Sequence, residues 1–168
     1  MPSHEVESCV SPAGACASPR NARMPGPPTL LLLSLLAAVA LHVLVPVAAI
    51  VQGWWRLLAL APLGLGAGLN LSADAALKRA GTTVKPALPS MALVTGGVFG
   101  LTRNPMYLGM LLLVVAVWVA LGTLTPGLSA VALAVLLDHY FVAPEEEKLL
   151  RSFGSWFAEY RGRVRRWV

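Results

Sequence analysis

Residues 106–142 read MYLGMLLLVVAVWVALG, then TLT, then PGLSAVALAVLLDHYFV: two apolar runs parted by Thr123, Leu124 and Thr125. The first run is uncharged, and the second carries only Asp138, with His139 beside it. A helix rises ~1.5 Å per residue, so about 20 residues cross a ~30 Å hydrocarbon core. Both runs approach that length, and the short polar break makes them a hairpin. They are also continuous, without the period-two alternation of a membrane barrel, so helices are expected.

Two further runs lie upstream. Residues 29–51 contain no charge but hold His42 and Pro46, and residues 57–77 carry Asp74 near their end. Of the 168 residues, 57% are hydrophobic and 12% charged. An average soluble domain has roughly 45–50% and 25%. With a mean hydropathy of +0.69, these values exclude a disordered chain and an ordinary soluble enzyme. The expected fold is an all-α integral membrane bundle of about four transmembrane helices, at 29–51, 57–77, 106–122 and 126–142, preceded by a flexible tail over 1–28. That tail is rich in Pro, Ser and Ala, and Met24 before the first run offers a second start for translation. A cleaved signal peptide is the competing reading of the first run, but the run exceeds the usual ~7–15 apolar residues. Cys9 and Cys16 fit no zinc or redox spacing, so neither a disulfide framework nor a metal is expected.

The net charge of +5 is distributed around the apolar runs. With both termini inside, twelve of the thirteen Lys and Arg residues share one side and only Arg56 lies outside. The positive-inside rule then puts both termini in the cytoplasm, in an inner or plasma membrane, with Trp54 and Trp55 in the outer interfacial belt. The basic residues form no stripe on a soluble domain, so the bilayer and not nucleic acid is the expected partner. Arg161 to Arg166 with Trp167 read as a contact to anionic lipid.

After Pro144 the pattern changes. Leu149, Leu150, Phe153, Trp156, Phe157 and Tyr160 recur at helical spacing, and Glu145 to Glu147 suit the positive end of a helix dipole. An amphipathic cytoplasmic helix over 144–160 follows. Gly64 and Gly68 lie in the second run as a small-residue packing motif, and Asp74 faces Lys78 four residues on. His42 reads as a packed or paired histidine. Asp138 and His139 are ionisable groups in an apolar run, suited either to a structural hydrogen bond or to lining an acceptor pocket.

Two glycine-rich stretches stand on the expected cytoplasmic side, GTTVKP at 81–86 and LVTGGVFGLTRNPMYLG at 93–109. Gly96, Gly97 and Gly100 allow a ligand close to the backbone, and Pro105 starts a helix whose amino end Arg103 and Asn104 face. On residue types alone, an anion site and a snorkelling arginine at an ordinary helix start explain this stretch equally well.

The 93–109 stretch, followed by Pro144-Glu145-Glu146, Leu149, Phe153-Gly154, Tyr160 and Val164-Arg165-Arg166-Trp167, resembles the superfamily of isoprenylcysteine carboxyl methyltransferases and phospholipid methyltransferases. The resemblance runs from about Gly81 to the end of the chain, and makes 29–168 a membrane methyltransferase domain. It implies transfer of a methyl group from S-adenosylmethionine to a lipid or lipid-modified acceptor. It further implies that Met91, Ala92, Leu93, Val94 and Phe99 line the cofactor pocket, and that Asn104, Pro105, Met106 and Tyr107 contact the cofactor. Glu145 is carried over as another cofactor contact, while Arg103 and Glu146 form the catalytic pair, Arg103 supporting the turn and Glu146 completing the motif. The sequence departs from the carboxyl methyltransferase pattern twice: Asn104 stands where the eukaryotic enzymes have His, and Phe141 where they have an arginine assigned to substrate.

Overall fold

Prolines mark where the apolar runs become helices and where they stop. The computed structural model describes residues 25–80 and 94–168. Helix α1 (Pro27–Leu44) has proline at its first positions, where the missing N–H is no loss. It ends at Leu44, short of the run's end at 51, because Pro46 disfavours helical backbone in the residue before it. The chain then turns back through Ala48, whose φ is 40°. Its backbone groups are satisfied across the bundle: Ile50 and Val51 donate to the Gly122 carbonyl at 2.8 and 3.1 Å, and Leu124 donates to those of Val47 and Ala48 at 3.1 Å. Ala49 and Thr123 form an isolated antiparallel bridge; no strand is present among the described residues.

A 3-10 turn (Gly53–Ala59) leads into α2 (Leu60–Arg79), which closes with Lys78 and Arg79 at the negative end of its dipole. Lys78 pairs with Asp74 at 2.6 Å. Helix α3 (Pro105–Leu121) lies against α2. Their closest approach is at Gly66 and Gly109, where a Cβ on either glycine would sit 2.8 Å from the other's carbonyl oxygen. Gly64 and Gly68 have nothing within 4 Å of a Cβ position, so the expected small-residue motif is not the packing surface. Gly66, between them in sequence, faces the partner helix instead.

Gly122 ends α3 with a φ of 75°, and α4 (Gly127–Leu137) starts five residues later. Helix α4 does not stop at 142. It widens into a π-helical turn (Asp138–Val142) and runs on into α5 (Ala143–Phe153), one continuous path from Gly127 to Phe153. The wider turn accommodates Pro144, whose ring would otherwise clash with the carbonyl four residues before it. The expected single helix over 144–160 is divided at Gly154, whose φ of 52° only glycine adopts easily, and α6 (Ser155–Arg163) follows.

Among the described residues, three helical stretches (Pro27–Leu44, Gly53–Arg79 and Gly127–Phe153) are long and apolar enough to cross a membrane, and Pro105–Leu121 is a shorter apolar helix. The core between them holds Leu30, Tyr107, Val114, Leu133, Leu137 and Phe141. Leu32, Leu36, Val39, Val43, Leu63, Leu65, Leu71, Leu128, Val131 and Val135 stay largely exposed on the outside. In water that exposure would forfeit on the order of 10 kcal/mol, comparable with a whole domain's stability. The chain is an integral membrane protein, and lipid covers these faces.

The bundle has two distinct ends. At one, His42 Nδ1 and the Thr123 hydroxyl are 2.8 Å apart, Thr125 donates to the Val45 carbonyl at 2.7 Å, and Trp118 donates to the Thr123 carbonyl at 2.9 Å. His42 is therefore a paired histidine at the connection between α3 and α4. At the other end, the segment entering α3 meets α5, α6 and the residues after Arg163.

Candidate functional site

The site grows from the five residues that start α3. A 3-10 turn (Gly97–Gly100) begins with a φ of 62° at Gly97 and delivers the chain to Thr102, which is buried. The Thr102 hydroxyl accepts from the Asn104 backbone N–H at 3.3 Å, forming a tight local turn before Pro105. Pro105 keeps Asn104 out of helical geometry, and Asn104 caps α3 through its carbonyl, which accepts from Leu108 at 3.0 Å.

The last residues close over this turn as a strap. Arg103 N–H donates to the Arg165 carbonyl at 3.1 Å. The Thr102 hydroxyl and the Asn104 side-chain amide both donate to the Arg166 carbonyl, at 3.0 and 3.2 Å. Tyr160 of α6 donates to the Phe99 carbonyl at 2.6 Å, and burial pushes its hydroxyl up to about 12. Phe99 thus takes part through its backbone.

Four charged side chains meet beneath the strap. Glu146 ion-pairs with Arg103 at 3.0 Å, and the two side chains are 7% and 10% exposed. Arg166 grips both oxygens of Glu146, from Nη2 at 2.8 Å and from Nε at 3.3 Å. Its Nη1 reaches the Asp138 carboxylate at 3.3 and 3.4 Å, and Trp167 Nε1 donates to the same group at 3.2 Å. Two positive and two negative groups balance here, which is what permits Glu146 to be buried. The grip of Glu146, reinforced by Asp138, holds the Arg166 guanidinium above its ordinary range despite some burial. Burial pushes Arg103 the other way, against the pull of Glu146.

Arg103 is nevertheless incompletely served. Its Nε and Nη1 are buried and have no hydrogen-bond partner among the described residues, the Glu146 contact being an ion pair without hydrogen-bond alignment. A guanidinium presents five N–H donors in a planar fork matched to a carboxylate or phosphate. Buried donors without partners cost ~1–3 kcal/mol each, and more on a charged group, so an acidic ligand at this edge would recover that cost.

Beside this cluster, Tyr107 of α3 donates to Glu145 Oε2 at 3.0 Å, and its ring lies 6.3 Å from that of Phe141. The structure therefore brings together Arg103 with Glu146 and Tyr107 with Glu145, residues that the sequence pattern had only associated. Pro105 is buried, whereas Val94 and Met106 are partly exposed. Met91, Ala92 and Leu93 lie outside the described residues, as do the 81–86 stretch, Cys9, Cys16 and the tail to Met24.

One sequence reading changes, and for Asp138 one of two alternatives is favoured. Arg166 turns inward onto Glu146 and Asp138 and is not a lipid-facing member of the basic cluster; its partners come from distant helix positions. Asp138 is a structural partner of Arg166 and Trp167, while His139 packs edge-on against Tyr140 with centroids 4.8 Å apart. The signal available in sequence was charge accounting: an aspartate in an apolar run requires a polar or cationic partner, without saying which.

The model of the phospholipid methyltransferase family matches residues 54–155, more than half of the chain. The chain belongs to that family, within the superfamily of integral membrane methyltransferases that also holds the isoprenylcysteine carboxyl methyltransferases. No curated protein and no solved structure matches it. The match includes Arg103, Asp138, Glu145 and Glu146, and ends before the strap.

Proposed function

We propose that this membrane methyltransferase uses S-adenosylmethionine to methylate a lipidic or lipid-linked acceptor at the membrane interface, in the manner of the isoprenylcysteine carboxyl O-methyltransferases. The observation that carries the reading is the pair of buried Arg103 donors, Nε and Nη1, that have no hydrogen-bond partner among the described residues. It fits a donor molecule that bears a carboxylate. Bound, S-adenosylmethionine supplies a methyl group on a sulfonium sulfur, activated for in-line displacement.

The chain's own part is positional. Arg103 meets the carboxylate through its unpartnered donors, and Glu146 acts through Arg103 by fixing that guanidinium. Glu145, set by the Tyr107 hydroxyl, offers negative charge to the donor's ammonium or sulfonium group. Asn104 commits one amide donor to the strap and keeps its oxygen for a ligand. Aligning acceptor, methyl and sulfur can supply ~7–11 kcal/mol without any side-chain nucleophile. The family resemblance assigns Met91, Ala92, Leu93, Val94 and Phe99 to the same pocket, together with Pro105 and Met106 at the start of α3. The acceptor enters between lipid-facing helices, with the polar donor arriving from the cytoplasmic side, where both termini lie.

Phe141 favours a second acceptor class. An aromatic ring beside Tyr107 takes the place of the substrate arginine of the carboxyl methyltransferases, which suits an amine headgroup better than a carboxylate. Phospholipid N-methylation is therefore the alternative. The test is calorimetric titration of detergent-solubilised protein with S-adenosylhomocysteine, beside Glu145→Ala, followed by radiolabelled methyl transfer into lipid extracts. Saturable binding by wild type alone supports the donor site. Label in base-labile methyl ester supports carboxyl transfer, and label in a methylated headgroup supports the amine. A well-folded wild type that binds no donor is a membrane scaffold, and the reading fails.

A further inference from the structure

Arg103 Nε and Nη1 have no hydrogen-bond partner among the described residues although a carboxylate stands 3.0 Å from Nη1. Left to itself, Glu146 would rotate to chelate the Arg103 fork, the preferred geometry for such a pair. It does not, because both its oxygens are already gripped side-on by Arg166 at 2.8 and 3.3 Å. Arg166 is in turn fixed from two sides. Its guanidinium rests on Asp138, and its own carbonyl receives Thr102 and Asn104, the neighbours of Arg103. The residue that controls Glu146 is thus tied by its main chain to the turn that carries Arg103.

We propose that Arg166 is a positioning residue for the methyl-donor site: by holding both oxygens of Glu146 it prevents that carboxylate from turning to satisfy the Arg103 donors, and so leaves them for the carboxylate of the donor. The inference rests on the proposed donor site. It extends that site to a strap lying beyond the residues matched by the family model. It also makes the strap part of ligand binding as well as of the fold, since a contact that merely held α5 to α3 would not distinguish ligands by their charge.

The test uses two ligands on the full chain in detergent. S-adenosylhomocysteine carries the amino-acid carboxylate, and 5′-methylthioadenosine keeps the nucleoside and thioether without it. In Arg166→Gln, Glu146 is released to chelate Arg103. The affinity for S-adenosylhomocysteine falls by about tenfold or more, the scale of one charge-assisted hydrogen bond, while methylthioadenosine stays within about twofold. Arg166→Lys holds Glu146 by a single point contact and gives a smaller loss with the same selectivity, which preserves the test should Arg166→Gln not fold. Equal losses for both ligands would show that Arg166 only supports the fold, and wild-type affinity in a folded variant would show that Glu146 needs no restraint. Either overturns the inference and leaves the donor site standing. Failure of wild type to bind S-adenosylhomocysteine refutes the donor site itself, and the inference with it.

Discussion

Replacing Glu146 by Gln removes one negative charge from a cluster of two cations and two anions without changing the volume of the side chain. Arg166 retains Asp138 at 3.3 Å, so its loss is partial. Arg103 retains no ion-pair partner among the described residues, and its side chain is only 10% exposed. Breaking a buried pair by removing one partner costs ~3–5 kcal/mol; because the Gln oxygen still accepts from Arg166, the lower end applies, ~3 kcal/mol. Arg166 is about one-third exposed, so solvent screens its share, and most of the loss falls on Arg103. The assay is denaturant unfolding in detergent, followed by helical circular dichroism, on Glu146→Gln and on the closed cycle of Arg103→Met, Glu146→Met and the double variant Arg103→Met/Glu146→Met. Each single change should be destabilising, and the double variant should recover at least ~1 kcal/mol relative to the sum of singles, because an apolar pair leaves no orphaned charge. A loss below ~0.5 kcal/mol for Glu146→Gln, or strict additivity in the double variant, would refute the claim that Glu146 compensates Arg103.

Three other expectations are independent of the charge cluster. Gly109→Ala forces a methyl against the Gly66 carbonyl and the Asn70 amide, so it should cost ~1–3 kcal/mol in the same unfolding assay, whereas Gly64→Ala, with open space around it, should change stability by less than ~0.5 kcal/mol. Tyr160→Phe leaves the Phe99 carbonyl without its donor and should lose ~1–2 kcal/mol. The Tyr160 hydroxyl is held up to about 12, so the unfolded chain releases its proton first, at about 10, and folding loses stability as pH rises through that interval; the variant should lack this component of the alkaline loss. Finally, cysteines introduced at Gln52 and Leu124 should label with impermeant reagent in right-side-out vesicles and stay protected in inverted ones, as a topology with both termini inside requires; labelling only in inverted vesicles would overturn that orientation.

Much of the fold could be read from local composition. An uncharged run such as that ending α3 leaves few solvents other than lipid, and Pro27, Pro105 and Pro144 act on backbone within one turn of themselves. The motif residues Arg103, Tyr107, Glu145 and Glu146 are legible as a group because their types recur in a known pattern, and the family match upholds the reading of the chain as a membrane methyltransferase. Their pairing was not legible. Nothing in the order of residues says that Tyr107 takes Glu145 and Arg103 takes Glu146, since adjacent glutamates differ by about 100° around a helix and only the docking of α3 against α5 decides which faces which.

The same limit explains what was misread. Gly64 and Gly68 share a helix face that contacts nothing described, while Gly66 meets Gly109, because the rotation of α2 about its axis follows from the fit of two whole surfaces. Arg166 looked like one more basic residue near a membrane until the strap placed its guanidinium between Glu146 and Asp138. Composition and periodicity determine which segments enter the bilayer, since the cost of exposing or burying a side chain is largely its own. The partner of a buried charge is a property of two segments brought together, and only the tertiary structure decides it.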